Sequence, residues 1–190
     1  MRRITLALLS CIAMTLTAHG ALKAGDTAPM FEARASLDGK AFDFDLADAL
    51  KQGTVVVYFY PSAYTGGCNI QAHEFSVKMA AFKAAGASVI GVSLDSIDRL
   101  NDFSADPDYC AGNLAVASDP EGDIAKSYAL QVKGSVDGAK DSRGIEIGHG
   151  FAERVTFIVT PDGRVAETIG NVSPAENVQK SLEAVQRLQE

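Results

Sequence analysis

Cys68 is the residue whose position most clearly suggests chemistry. It follows an apolar run, Thr54–Tyr60, and a short loop that begins at Pro61. The run is β-branched or aromatic and carries no charge, which predicts a fully buried strand. Pro61 would end that strand because proline cannot donate to a sheet ladder. From Cys68 onward, apolar residues recur at helical spacing and predict an α-helix with the cysteine in its first turn: Cys68, Ala72, Phe75, Met79 and Phe82.

A thiol in the first turn of a helix meets unpaired backbone N–H groups and the positive end of the helix dipole. Both stabilise a thiolate, which is the nucleophilic form of cysteine. The backbone N–H groups of Gly67 and Cys68 are the expected donors to an anion at this helix start. Position alone also fits a buried structural cysteine, because such residues are common on apolar helix faces.

The spacing Pro61-x-x-x-Thr65-x-x-Cys68 at a strand-to-helix junction resembles the peroxidatic motif of peroxiredoxins, the alkyl hydroperoxide reductase and thiol-specific antioxidant family. The resemblance covers nearly all of the chain after its N-terminal apolar segment. It implies a thioredoxin-like fold and a thiol-dependent peroxidase that reduces hydrogen peroxide and organic hydroperoxides through a cysteine sulfenic acid. Three further segments carry it: Gly25-Asp-Thr-Ala-Pro29, Ser118-Asp-Pro-Glu-Gly122 and Arg154-Val-Thr-Phe-Ile-Val-Thr-Pro-Asp-Gly163.

The resemblance implies a role for each residue of the motif. Cys68 would attack one peroxide oxygen and become a sulfenic acid. Thr65 is expected to hydrogen-bond the thiolate or the bound peroxide, although a threonine here could equally be a helix N-cap. Pro61 is expected to shape and shield the pocket. Arg154 begins a strand expected beside the central one, and it is expected to hold the thiolate and the transition-state oxygen; without the resemblance it would be taken for a surface arginine.

The chain departs from typical two-cysteine peroxiredoxins in two places. Gln71 stands three residues after the nucleophile, where those proteins have Glu, and no cysteine follows Cys110. The segment Cys68–Phe75 looks more like the peroxiredoxin Q (bacterioferritin comigratory protein) branch. Many members of that branch have a resolving cysteine where this chain has His73. We expect His73 to be a solvated helix residue, because an offset of five positions does not share a helix face with Cys68.

Cys110 is the candidate resolving thiol. It is the only other cysteine outside the N-terminal segment, and a second cysteine can convert a sulfenic acid into a disulfide. It follows the helix stop Asp106-Pro107, in a segment whose composition suggests a mobile connection. A disulfide requires Cα atoms within about 7 Å, so we expect the Cys68 turn to unwind first. The alternative is that Cys110 is a small buried hydrophobe next to Leu114.

Residues 1–20 have the three parts of a secretory signal peptide: Arg2-Arg3, the apolar run Ile4–Ala18, and a cleavage site at Ala18-His-Gly-Ala21. A lipoprotein cleavage box ending at Cys11 is a weaker alternative. The apolar run is shorter than the roughly 20 residues of a membrane span, so no membrane association is expected after cleavage. We therefore expect a periplasmic protein of a Gram-negative bacterium, with residues 21–190 as a single domain.

Charge argues against two classes of partner. The net charge is −7, and removal of residues 1–20 takes away two arginines and no acid, which lowers it to −9. An acidic surface disfavours nucleic acid and anionic membranes. No cofactor-binding or metal motif is visible, so neither is expected. The expected partners are the peroxide substrate and a thioredoxin-like or glutaredoxin-like periplasmic reductant. The sequence leaves open whether the protein is a monomer or a homodimer.

The order of predicted elements indicates an α/β fold with a central mixed β-sheet flanked by helices. An N-terminal β-hairpin is expected around Asp38-Gly39, and a second buried strand over 88–94 would lie parallel to the first by a right-handed crossover. Residues 131–153 contain five glycines and little periodicity, which predicts a long loop of the kind that is often functional. A hairpin around 160–163 and a helix from Ser173-Pro174 end the chain.

Three other functions compete with a peroxidase. A periplasmic thiol-disulfide oxidoreductase uses C-x-x-C, and the segment before Cys68 lacks the partner cysteine. A metal carrier could use Cys68, His73 and His149, but soft-metal sites need three or four ligands that gather in space. The third alternative is a non-catalytic interaction domain built on the thioredoxin fold.

Overall fold

The computed structural model describes residues 20–190. The predicted signal peptide and the alternative lipoprotein site at Cys11 lie outside the described residues. The strands are β1 (Glu32–Leu37), β2 (Lys40–Asp45), β3 (Thr54–Phe59), β4 (Ala87–Ser93), β5 (Ala115–Ser118), β6 (Val132–Lys133), β7 (Phe151–Ala152), β8 (Val155–Val159) and β9 (Val165–Gly170). The helices are α1 (Leu46–Leu50), α2 (Gly66–Ala84), α3 (Ile97–Ala105), α4 (Asp123–Ser127) and α5 (Pro174–Arg187). Within the described part of the chain, no helix has both the length and the hydropathy that a membrane span requires.

Seven strands form one mixed sheet in the order β2-β1-β5-β4-β3-β8-β9. β3 lies at its centre, parallel to β4 and antiparallel to β8. β1 and β2 form the predicted N-terminal hairpin, which turns at Asp38 and Gly39, both with positive φ. The predicted α/β class, with a central mixed sheet flanked by helices in a thioredoxin-like arrangement, is confirmed.

The side chains of β3 alternate between two hydrophobic cores, as a period of two residues requires. Val56 and Tyr58 pack under α2, α3 and α5, whereas Val55 and Val57 face α1 and α4. All residues of β3 are buried, as the uncharged β-branched run predicts. Because β3 and β4 are parallel, their C-terminal ends meet at one edge of the sheet. The loop 60–65, which leads into α2, lies at that edge.

Two regions differ from the expectations. Residues 131–153 are not simply a loop: β6 and β7 pair antiparallel at the two ends of the segment, and Lys140 forms a bridge with Glu146. The spacing of Val178, Leu182, Val185 and Leu188 predicts one apolar stripe on the last helix. However, α5 ends at Arg187 and Leu188 is exposed, so Leu188 lies outside the buried face. The buried face instead includes polar side chains, Asn177 and Ser181, beside Val178, Leu182 and Val185.

Candidate active site

Cys68 lies buried in the first turn of α2, with its sulfur as a free thiol. The first backbone hydrogen bond of this helix runs from the Asn69 N–H to the Thr65 carbonyl, at 2.8 Å. The N–H groups of Gly67 and Cys68 precede that pattern, and within residues 20–190 no hydrogen-bond acceptor is recorded for them. They are therefore available to an anion or to a developing oxyanion beside the sulfur.

Arg154 is the cation that faces Cys68. It directly precedes β8, whose pairing with β3 sets Val155 opposite Phe59 and so brings the arginine to the C-terminal end of the central strand. Its Nη2 lies 3.3 Å from the Cys68 Sγ. The guanidinium therefore sets a positive charge directly against the sulfur.

Gly67 provides the space that Arg154 occupies. A Cβ at position 67 would lie 3.1 Å from the Arg154 Nη2 and 3.3 Å from the Cγ of Pro174. Both contacts are tighter than ordinary van der Waals packing. A side chain at this position would therefore press on the guanidinium next to the sulfur.

The hydroxyl proton of Thr65 is already used within the loop. Its Oγ1 donates to the Ser62 carbonyl at 2.8 Å, and this direction is fixed because a carbonyl can only accept. Thr65 occupies the N-cap position by its backbone, but its side chain makes no capping bond. The expected hydrogen bond to the thiolate would need this proton. The Thr65 Oγ1 still has its lone pairs, which can accept a hydrogen bond from the O–H of a peroxide.

Pro61 lies two residues after the end of β3 and is half-buried. Together with Arg154 it lines a cavity whose other walls include Phe151 and Ala152 of β7. The proline therefore forms part of the wall beside the arginine, and its role in shaping and shielding the reaction site stays a prediction.

Gln71 holds the second terminal nitrogen of the Arg154 guanidinium. The Arg154 Nη1 donates to the Gln71 Oε1, and Gln71 is fully buried. Glutamine is neutral, and among the described residues Arg154 forms no salt bridge with a carboxylate. The departure noted in the sequence, Gln in place of Glu, thus leaves the positive charge of Arg154 without a neutralising partner.

A second group of polar residues, which we call the charged cluster, holds the loop before Cys68: Asp95, Arg99, Asp141, Arg143 and His149. Asp95 follows β4 and is fully buried. Its carboxylate accepts from the Ala63 N–H at 2.7 Å and from the Ser62 hydroxyl at 3.0 Å. These bonds fix the middle of the loop between Pro61 and Thr65.

Two further side chains bind the Asp95 carboxylate, Arg99 through Nε at 2.8 Å and His149 through Nε2 at 2.9 Å. Burial alone would raise the pKa of Asp95, but the hydrogen bond and charge of His149 outweigh it and hold the pKa below its ordinary value of 3.8. For His149, burial works against the charge, but the hydrogen bond and charge of Asp95 raise its pKa above 6.5.

The segment 131–153 is attached to the same loop at Tyr64. The Ser142 N–H donates to the Tyr64 carbonyl at 2.8 Å, and the Arg143 guanidinium lies 3.3 Å from the centre of the Tyr64 ring. Tyr64 has a φ of 59°, a left-handed conformation that costs a bulky residue about 1–3 kcal/mol. The attachments from Asp95 and Ser142 on either side hold it there.

Cys110 is a free, fully buried thiol in the same hydrophobic core as Cys68. The connection after α3 is a compact turn, not an extended one: Gly112 N–H donates to the Ser104 carbonyl at 2.9 Å and Leu114 N–H to the Cys110 carbonyl at 3.3 Å. Burial, with a smaller contribution from the negative charge of Asp106, raises the pKa of the Cys110 thiol well above its ordinary value. The resolving role of Cys110 stays a prediction, and in this arrangement its thiol is protonated and enclosed.

The two histidines considered as metal ligands lie apart from the sulfur. His73 is exposed, as expected, and its Nδ1 lies 3.1 Å from the Asp108 carbonyl. His149 is bound to Asp95. Over residues 20–190, no group of three or more His, Cys, Asp or Glu side chains is arranged to hold a metal ion.

The sequence reasoning did not identify Asp95 or Arg99 as parts of the site. One available signal was that Asp95 directly follows a buried strand parallel to β3, so its side chain emerges at the same sheet edge as the loop before Cys68. Arg99 follows at an offset of four residues. Acid and base at this spacing face each other on a helix.

Comparisons with known proteins agree with this arrangement. Residues 24–168 match the AhpC/TSA family. The chain is 33% identical over 144 residues to the peroxiredoxin Bcp of Escherichia coli, covering 76% of this chain and 83% of that protein. Among solved structures, peroxidoxin BcpB of Mycobacterium tuberculosis gives a TM-score of 0.73 at 25% identity, covering 89% of this chain and 99% of that one. The bacterioferritin comigratory protein of Xanthomonas campestris gives 0.65 at 25% identity, covering 83% and 92%. The chain therefore belongs to the AhpC/TSA family and is a peroxiredoxin, a thiol-dependent peroxidase.

Proposed function

We propose that Cys68 is the thiol that reduces the peroxide, and that hydrogen peroxide and organic hydroperoxides are both substrates. The observation that carries this proposal is the contact of 3.3 Å between the Arg154 Nη2 and the Cys68 sulfur, beside the free N–H groups of the first helical turn. In this step the thiolate attacks the hydroxyl oxygen of ROOH. The S–O bond forms as the O–O bond breaks, and the departing RO⁻ takes a proton from water to become ROH. Cys68 is left as a sulfenic acid.

The residues around the sulfur suit the charges of that step. Arg154 stabilises the thiolate before attack and the negative oxygen during it. The lone pairs of Thr65 can accept the O–H of the peroxide and so turn the attacked oxygen toward the sulfur. For organic substrates, the cavity beside Pro61 and Phe151 offers room for an alkyl group next to Arg154. Alkyl peroxide reduction is described for the similar Xanthomonas protein.

We further propose that Cys110 resolves the sulfenic acid. The Cys110 thiol attacks the oxidised sulfur, the S–S bond forms, and the oxygen leaves as water. Both buried cysteines must move for this, so the first turn of α2 has to unwind. Gly66 and Gly67 begin that helix, and glycine weakens a helix by about 0.5–1 kcal/mol per residue relative to alanine. The position of these two glycines supports unwinding from this end.

A dithiol reductant would then regenerate both thiols. The tripartite pattern of residues 1–20 supports export to the periplasm, where a thioredoxin-like or glutaredoxin-like protein is the proposed donor. N-terminal sequencing of protein recovered from a Gram-negative periplasm should give a chain that starts near Ala21 or Leu22. Recovery of a chain that keeps Met1, or that carries lipid on Cys11, would contradict this location.

The cysteine roles are tested by mass spectrometry after one equivalent of hydrogen peroxide. The wild type should lose two hydrogens and show no free thiol in denaturant. Cys110→Ser should stop at the sulfenic acid and overoxidise readily, and Cys68→Ser should not consume peroxide.

Two outcomes would contradict these assignments. Peroxide consumption by Cys68→Ser at the wild-type rate would remove Cys68 from the reaction. Accumulation of sulfenic and sulfinic acid in the wild type, with Cys110 still titratable, would show that the enzyme uses a single cysteine and that Cys110 only fills the core.

A further inference from the structure

Three fully buried polar side chains lie behind Arg154, each on a different element. They are Gln71 on α2, Asn177 on α5 and Thr156 on β8, and we call them the neutral relay. A buried polar side chain has to find its hydrogen-bond partners inside the protein. The hydrogen-bond partners of these three side chains therefore show which parts of the protein they hold in place.

The hydrogen bonds of the neutral relay run from the active site to the backbone of β9. Arg154 Nη1 donates to the Gln71 Oε1. Gln71 Nε2 donates to the Asn177 Oδ1 at 2.9 Å, and Asn177 Nδ2 donates to the Ile169 carbonyl at 3.0 Å. The Asn177 Oδ1 also accepts from the Thr156 hydroxyl at 2.7 Å.

The groups at the two ends of the neutral relay fix which atom donates and which accepts in each of its hydrogen bonds. The Ile169 carbonyl can only accept, so it must face the NH₂ group of Asn177; the Arg154 guanidinium can only donate, so it must face the oxygen of Gln71. Reversing either amide would set two donors or two acceptors against each other. Such a reversal in the buried interior costs about 1–3 kcal/mol per unsatisfied group.

We propose that Asn177 is a positioning residue for the peroxidatic site, which holds the Gln71 amide in the one orientation that keeps Arg154 against Cys68. An arginine side chain is long and has many rotamers, so its position depends on such contacts. The neutral relay adds no charge of its own, and the positive charge of Arg154 stays directed at the sulfur. This inference rests on the proposed role of Arg154 in the peroxide step.

The test replaces Asn177 by leucine and measures the second-order rate of Cys68 with hydrogen peroxide, in competition with a haem peroxidase. Asn177→Leu removes three hydrogen bonds, and the one from Gln71 is the bond that orients the partner of Arg154. Loss of that neutral hydrogen bond predicts a rate about 2- to 10-fold lower. The pH profile of Cys68 alkylation by iodoacetamide should move to higher pH in the same variant. A merely structural role of Asn177 would not move this profile.

Ser181→Ala is the matched control. Ser181 is also fully buried on α5, and its hydroxyl donates to the Asn177 backbone carbonyl at 2.7 Å. The substitution removes a buried hydrogen bond of α5 but leaves the side chains of the neutral relay in contact. Its peroxide rate and alkylation profile should match those of the wild type.

A double-mutant cycle tests whether Asn177 acts through Gln71. In a Gln71→Met background, Asn177→Leu should cause no further loss of rate, because the oriented amide is already gone. Full additivity, or a folded Asn177→Leu with the wild-type rate and profile, would overturn the proposal. If Asn177→Leu does not fold, Asn177→Ser, which is smaller and also too short to hold Gln71, carries the same expectations.

Arg154→Met, measured in parallel, separates this proposal from the proposed function. A slow Arg154→Met beside a normal Asn177→Leu would remove only the positioning role of Asn177. A normal rate in Arg154→Met would remove the arginine from the peroxide step, and the positioning role would fall with it.

Discussion

Two groups of polar side chains support the active site, and they differ in charge. The neutral relay holds Arg154 through two amides and a hydroxyl. The charged cluster holds the loop between Pro61 and Thr65 through two carboxylates, two guanidinium groups and one imidazole. Both fix one part of the same site, so their difference in chemistry points to a difference in task.

The neutral relay suits Arg154, whose positive charge has to act on the Cys68 sulfur during the reaction. A carboxylate beside Arg154 would neutralise part of the positive charge that acts on the sulfur. Gln71 accepts a hydrogen bond from Arg154 and leaves that positive charge intact. The charged cluster suits an element that only has to stay in place. Its ions cost desolvation on folding, but removal of a single ion leaves another buried without a partner. Loss of one member should therefore affect the cluster strongly, through stability first and catalysis second.

The largest effect is expected in the charged cluster, for Asp95→Asn. The substitution keeps the shape of the side chain but leaves Arg99 and His149 without their carboxylate, and it turns an NH₂ group toward their N–H groups. Breaking a buried ion pair in this way costs about 3–5 kcal/mol. We expect a fall of this size in the free energy of unfolding by urea. We also expect a slower peroxide reaction, because Arg99, which donates to the Ala63 carbonyl at 2.9 Å, loses the carboxylate that holds it beside the loop.

Asp43→Asn is the control for this measurement. Asp43 also pairs with an arginine, Arg34, at 2.8 Å, but the two side chains are 90% and 50% exposed. Exposed pairs contribute about 0–1 kcal/mol. If Asp95→Asn were no more destabilised than Asp43→Asn, the charged cluster would not hold the loop as its bonds indicate.

Arg154→Met should show the opposite balance, a large effect on rate and a small one on stability. The loss of one charge-assisted hydrogen bond to an anion, about 1.5–3 kcal/mol, corresponds to a rate roughly 10- to 150-fold lower if it acts on the transition state. The measurement is the second-order rate with peroxide, set beside the free energy of unfolding of the same variant.

Arg164→Met controls for the loss of a cation, because Arg164 is on the surface and donates to the Gly25 carbonyl. Its peroxide rate should be unchanged. A stability loss in Arg154→Met as large as that of Asp95→Asn, with no matching loss of rate, would erase the difference between the two groups.

The motif residues could be predicted from the sequence, whereas most of the residues that hold them in place could not. The buried strand, the position of Cys68 in the first turn of α2 and the N-terminal hairpin all follow from local periodicity and turn chemistry. The partners of the two polar groups are distant along the chain: Gln71 and Asn177 are 106 residues apart, and Asp95 and His149 are 54 apart. Local patterns do not encode such pairs, because the pairs depend on how the whole sheet is arranged.

Thr65 and Asn177 show two further limits of the sequence. The spacing of the motif placed Thr65 beside Cys68, but the direction of its hydroxyl depends on the Ser62 carbonyl, which only the folded loop brings near. Asn177 lies on the buried face of α5 next to Val178. From the sequence it is one polar residue among several in a helix of mixed composition, and only its burial distinguishes it.

The smallest predicted effect is also the one that distinguishes the two groups by pH. The Nδ1 of His149 lies 2.7 Å from the Gly150 carbonyl, and its Nε2 lies 2.9 Å from the Asp95 carboxylate. Both partners are acceptors when Asp95 is ionised, so the protonated ring, with an N–H on each nitrogen, is the form that satisfies both of them. The positive charge of Arg99 lowers the pKa of His149, but the hydrogen bond and negative charge of Asp95 raise it by more, so the pKa of His149 lies above its ordinary value.

The sign of the pH dependence follows from these shifts. A raised pKa in the folded state means that the contribution of His149 to stability is complete below the unfolded value of 6.5, and is lost as the pH rises through the folded value. Asp95, whose pKa is lowered, contributes above 3.8 and loses its contribution as the pH falls through its folded value. The charged cluster is therefore strongest between these two limits, whereas the neutral relay has no group that titrates in this range.

His149→Gln tests this difference, because a glutamine can still donate to Asp95 but has no charge to lose. At about pH 6 the variant should be less stable than the wild type by about 1 kcal/mol, the size of one hydrogen bond, and the gap should narrow as the pH is raised to about 9. His73→Gln is the control, since His73 is exposed and has no carboxylate partner in the described part of the chain. The measurement is urea unfolding of all three proteins across this pH range. A gap that stays constant from acid to alkaline pH would mean that His149 is neutral in the folded protein, and that Arg99 is the cation that balances Asp95.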